Sequence, residues 1–122
     1  MKTVLKVIAI SIVILVLSGT SFAEVLYSPP VNVDGSDGTI ECRIVNVGKK
    51  TISLSISACG QVACAVLPDA VSIVPGQMAE LVYERWPGAG YCEFTIDAKS
   101  KDVRASACSI STNGSRACLA AQ

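Results

Sequence analysis

Hydrophobic and polar residues alternate with a period of two along most of the chain beyond residue 38. Between Thr51 and Ala58, Ile52, Leu54 and Ile56 alternate with Ser53, Ser55 and Ser57; between Tyr91 and Ala98, Cys92, Phe94 and Ile96 alternate with Glu93, Thr95 and Asp97. Successive side chains on a strand point to opposite faces, so this pattern predicts strands with one buried and one solvated face. Gly38 to Val47 reads the same way, with Ile40, Cys42 and Ile44 inward and Glu41 and Arg43 outward. Val62–Leu67, Val71–Val74, Met78–Tyr83, Val103–Ile110 and Arg116–Ala120 are predicted strands of less regular pattern. No stretch sustains a 3.6-residue period long enough for a helix.

Turn-forming residues fall between these segments, at Gly48-Lys49-Lys50, Pro75-Gly76, Pro87-Gly88-Ala89-Gly90, Lys99-Ser100-Lys101 and Asn113-Gly114. Strands punctuated in this way predict an antiparallel all-β sandwich of seven to eight strands. Pro29-Pro30 and Asp34–Gly38 read as an irregular N-terminal lead-in. A three-residue hairpin loop at Gly48–Lys50 would set Ile44 opposite Leu54 and Cys42 opposite Ile56, inward residue against inward residue, as one shared buried face requires.

The first 23 residues follow another pattern. Lys2 and Lys6 precede an apolar run from Val7 to Leu17, and Ser21-Phe22-Ala23 places small residues where a signal peptidase inspects them. The run is shorter than the roughly 20 apolar residues of a spanning helix. The expectation is a signal peptide over residues 1–23, cleaved after Ala23, and one periplasmic or secreted domain over residues 24–122 without a membrane anchor. Loss of Lys2 and Lys6 from ten basic side chains leaves eight against ten acidic ones. They are spread along the sequence without runs, so neither nucleic acid nor an anionic membrane is an expected partner.

Six cysteines lie downstream of the signal. An exported domain with few aromatics has a thin core that cross-links reinforce, so three structural disulfides and no free thiol are expected. Six cysteines allow fifteen connectivities, which sequence alone does not decide. Face parity favours Cys42 with Cys92 through the core and Cys108 with Cys118 as a surface clasp around the Asn113-Gly114 turn, leaving Cys59 with Cys64 around a tight connection. A redox site would want a Cys-x-x-Cys thiol at a helix N-terminus, and a zinc site would want two-residue knuckles; neither spacing occurs.

The chain has no histidine. That removes histidine-based nucleophile pairs and mixed metal sites, and no cofactor motif is present. Glu41, Glu80, Glu84, Glu93 and Asp97 are the carboxylates a hydrolase could recruit, and their strand phases read as solvated surface. Asp34–Gly38 lacks the alternating ligands and closing glutamate of a calcium loop. Asn113-Gly114-Ser115 is both a hairpin signal and an N-glycosylation acceptor pattern. Trp86 stands in a Gly/Pro loop beside Tyr91, as a candidate binding anchor or as a cap over one end of the sandwich.

Two cysteines fifty positions apart on alternating strands, in a domain of this size, resemble the immunoglobulin-like sandwich with its inter-sheet disulfide. The segments Cys42–Gly48, Pro75-Gly76, Tyr91–Phe94 and Asp102–Ala105 are also similar to small exported bacterial proteins of unknown function. The resemblance implies a fold and brings no activity. The expected function is that of an exported, non-catalytic binding or interaction module whose partner is an extracytoplasmic protein or glycan. The alternative is an extracellular enzyme inhibitor presenting a disulfide-braced loop.

Overall fold

The alternation at Ile52, Leu54, Ile56 and Ala58 becomes a row of buried side chains, each at most 3% exposed, while the intervening serines stay half-buried on the other face. The computed structural model describes residues 23–33, 38–61, 63–86 and 88–122. Residues 1–22, which hold most of the signal peptide expected over residues 1–23, the turn-rich residues 34–37, Val62 and Pro87 lie outside the described residues. Among the described residues no helix is long and apolar enough to cross a membrane.

Among the described residues ten strands form two antiparallel sheets: β1 (Glu24–Tyr27), β2 (Val31–Asn32), β3 (Thr39–Asn46), β4 (Ile52–Cys59), β5 (Cys64–Val66), β6 (Val71–Ile73), β7 (Met78–Tyr83), β8 (Ala89–Ile96), β9 (Val103–Ile110) and β10 (Arg116–Ala120). The first sheet runs β1-β8-β4-β5, with β2 also on β8 and β6 also on β4; the second runs β10-β9-β3-β7. The inward residues of both sheets form one core around Ile40, Cys42 and Ile44 of β3, Leu54 and Ile56 of β4 and Cys92, Phe94 and Ile96 of β8. Each fully buried large apolar side chain contributes about 1.5–3 kcal/mol.

Three features differ from the sequence expectation. The Gly48–Lys50 connection is no hairpin, because β3 and β4 belong to different sheets and the chain crosses between them. Inward residues of facing sheets meet as readily as those of one sheet, so face parity alone does not separate the two arrangements. What holds the crossover is Asn46, fully buried, whose Nδ2 donates to the carbonyls of Lys50 at 2.7 Å and Ile73 at 3.0 Å while its Oδ1 accepts from Gly48 N–H at 3.0 Å. Val47 and Gly48 N–H donate in turn to the carbonyl of Asp102.

The N-terminal segment carries two short strands that the sequence did not predict, with Pro29-Pro30 outside them as expected and residues 34–37 outside the described residues. β1 and β2 both pair with β8, Glu24 facing Ile96 and Val31 facing Gly90, a register that slips by one residue between them. Ser28 keeps the β1 register opposite Cys92, its N–H donating to the carbonyl of Cys92 at 2.9 Å and its Oγ accepting from Cys92 N–H at 2.7 Å, so the slip falls at Pro29-Pro30. With β2 beside them, Ala89 and Gly90 belong to β8 and not to the preceding turn. These N-terminal strands, outside the expected set, account for ten strands where seven or eight were predicted.

Cys108 has the outward phase expected of it but is only 2% exposed. It lies between Cys118 on β10 and Glu41 on β3, directly in register with both, so its neighbours cover it. Cys118 itself is exposed, as is all of β10.

Candidate functional site

Three disulfides brace the sheets. Cys42 of β3 joins Cys92 of β8 across the core, with Cα atoms 5.7 Å apart. Cys59 joins Cys64 between the adjacent strands β4 and β5, and Cys108 joins Cys118 between β9 and β10. No cysteine is free. The Cys59–Cys64 bridge closes a short connection in which Gly60 N–H donates to the carbonyl of Ala63 at 2.9 Å.

Trp86 is placed as a cap and not as an exposed anchor. It is 6% exposed, its Nε1 donates to the carbonyl of Ala89 at 3.3 Å, and the Tyr83 ring meets it edge-on at 5.3 Å between centroids. Arg85, immediately before it, takes a left-handed conformation with φ of 58°, which turns the chain so that the indole points back over the core. Gly60 and Gly90 leave the room it occupies. A large aromatic gains more by covering apolar surface than by standing in water, and nothing in the Gly/Pro composition of the loop opposes that.

Tyr91, the other residue singled out in the sequence, remains half-buried on the outer face of the first sheet. Tyr27 lies 6.4 Å from it, ring to ring, and is 51% exposed. Tyr91 is in register with Cys59, and Val66 of β5, 58% exposed, continues the same face. Pro30, Gly60, Gln61, Ala89 and Gly90 complete a shallow cleft of about 300 Å³ beside Tyr91 and Cys59. Tyr27 carried no pattern of its own in the sequence; it belongs to this face because β1 pairs with β8. Its place next to Glu93 was the missing signal.

The carboxylates are dispersed. Glu41 pairs with Arg43 at 3.0 Å and with Arg116, and Arg43 also pairs with Glu80 at 3.1 Å, tying β10, β3 and β7 together on the outer face of the second sheet. The Asp97 carboxylate accepts from Ser53 N–H at 2.7 Å. Glu93 lies half-buried between Tyr27 and Ser57, and Glu84 is exposed in the bend after β7. No two of these stand together as a free acid and base. Among the described residues no cluster of three or more metal-ligating side chains occurs.

At the Asn113-Gly114 turn, Asn113 Oδ1 accepts from Ser115 N–H at 2.9 Å and Gly114 takes a φ of 86°. The positive φ explains the glycine. No family model, no curated protein and no solved structure matches the chain.

Proposed function

We propose that the chain is exported and acts without catalysis as an immunoglobulin-like interaction module, contacting an extracytoplasmic protein or glycan through the Tyr27–Tyr91 face. The observation that carries this reading is Tyr27, 51% exposed and tilted against the Tyr91 ring beside an apolar cleft on a sheet cross-linked at Cys59–Cys64. Exposed aromatics on a rigid support supply contact area at low conformational cost. Three disulfides also favour an oxidising, extracytoplasmic setting, in keeping with the signal expected over residues 1–23.

The immunoglobulin likeness is supported by the pairs β3–β7 and β4–β8 and by the bridge from β3 to β8, which correspond to the B–E and C–F pairs and the B–F disulfide of that sandwich. The outer strands depart from it: β9 lies beside β3 and β1 beside β8, where the immunoglobulin order has strands A and G. An inhibitor is the second reading, favoured by the Cys59–Cys64 loop, in which Gln61, Ala63 and Cys64 are exposed. Titration of the oxidised protein into extracellular protease and glycosidase assays separates the two. Stoichiometric loss of one activity supports the inhibitor, and binding without such loss supports the module.

A further inference from the structure

The sequence spreads its basic residues without a run, but the fold gathers them. Lys49 and Lys50 in the β3–β4 crossover and Lys99 and Lys101 in the β8–β9 connection line one cleft of about 620 Å³. The two loops are fixed to each other, since Val47 and Gly48 N–H both donate to the carbonyl of Asp102. All four lysines are exposed, and among the described residues none lies within ion-pairing distance of a carboxylate. Of the two acids in the cleft, Asp97 already accepts from Ser53 N–H, and Asp102 is half-buried. Arg104 is exposed in the adjoining cleft, which Lys101 also lines.

This concentration runs against the charge of the chain as a whole, whose residues after Ala23 hold fewer basic than acidic side chains. Gathering like charges is unfavourable by itself, and a concave wall focuses their field, so an anion entering the cleft relieves the repulsion. The ammonium groups stand on two loops flanking a concavity instead of covering a flat face. That shape suits a chain laid between the loops better than a bilayer surface. Thr51 and the 49% exposed Val47 supply a hydroxyl and an apolar wall to the same cleft. We infer that this end of the sandwich binds an anionic polysaccharide, whose recurring acidic groups engage Lys49 and Lys50 on one loop and Lys99 and Lys101 on the other. It is a second surface, separate from the Tyr27–Tyr91 face.

The test is calorimetric titration of the oxidised exported protein with polygalacturonate, with neutral dextran and phosphatidylglycerol vesicles as comparison ligands. Binding to polygalacturonate, absent with dextran and weakening between about 50 and 200 mM salt, is expected. The K49Q/K50Q and K99Q/K101Q variants should each lose about tenfold or more in affinity at unchanged unfolding midpoint, with K49R/K50R restoring it. Tyr27→Ala should leave this binding intact. Absence of binding, glutamine variants that bind as wild type, binding confined to the vesicles, or loss of binding in Tyr27→Ala would each overturn the assignment.

Discussion

The Trp86 indole lies against the backbone of Gly90, where a Cβ would come within 2.5 Å of Nε1 and 2.9 Å of Cε2. The tryptophan of the Gly/Pro loop is thus packed on the second residue of β8, a position that only glycine suits. Gly90→Ala should destabilise the fold by about 1–3 kcal/mol through overpacking, and Trp86→Ala by about 3 kcal/mol or more through the cavity it leaves. Denaturant unfolding followed by circular dichroism measures both. Midpoints equal to wild type would show that Trp86 is not part of the core.

Asn46 should be the most sensitive polar residue. Its side chain satisfies two carbonyls and one N–H at the crossover between sheets. Asn46→Leu, close to it in size, would take the side-chain donor from the Lys50 and Ile73 carbonyls and leave Gly48 N–H only its bond to the Asp102 carbonyl, at a cost of about 1–3 kcal/mol. Amide hydrogen exchange should then accelerate at Gly48 and Gly76, whose N–H groups bond to Asn46 Oδ1 and its backbone carbonyl. Exchange confined to wild-type rates would contradict this role.

How much of this could be read from the chain follows from what alternation encodes. The period of two marks which residues face inward, so β4 emerges close to its observed bounds, while β7, β9 and β10, less regular in pattern, are bounded by the turn residues that flank them. It does not encode which sheet a strand joins, because Ile44 and Leu54 can be inward together in one sheet or in two facing ones. The choice between these lies in the side-chain hydrogen bonds of Asn46, which no periodicity records. The same blindness hid Tyr27, whose neighbour Tyr91 is far away in sequence, and the lysine cleft, whose two halves are set together by backbone bonds to Asp102. Residues close in sequence, such as Cys59 and Cys64 or the Asn113-Gly114 turn, were legible because local geometry suffices.

The disulfides should differ in weight. Replacing Cys42 and Cys92 by Ala removes a cross-link with a sequence separation of 50 and leaves a cavity between two residues of 0% exposure. On the chain-entropy model the loop contributes about 4 kcal/mol, against about 3 kcal/mol for Cys108–Cys118 with its separation of 10. The first double variant should therefore have the lower unfolding midpoint. An equal or higher midpoint would show that the core bridge is strained or that the unfolded chain is already compact.

Oxidation state has its own check. Intact mass should rise by about six hydrogens on reduction, two for each bridge, and the folded protein should not react with a thiol reagent. Labelling of any cysteine before denaturation would remove the oxidised framework on which the export reading rests.

Affinity capture from the extracytoplasmic fraction decides whether the Tyr27–Tyr91 face is a contact surface. Wild-type protein and the Tyr27→Ala/Tyr91→Ala variant serve as paired baits, with circular dichroism establishing that both are folded. One partner, protein or glycan, should be retained by wild type and weakened in the variant by about 2 kcal/mol or more, the loss expected where hot-spot aromatics are truncated. Equal recovery of every captured species by both baits would contradict it.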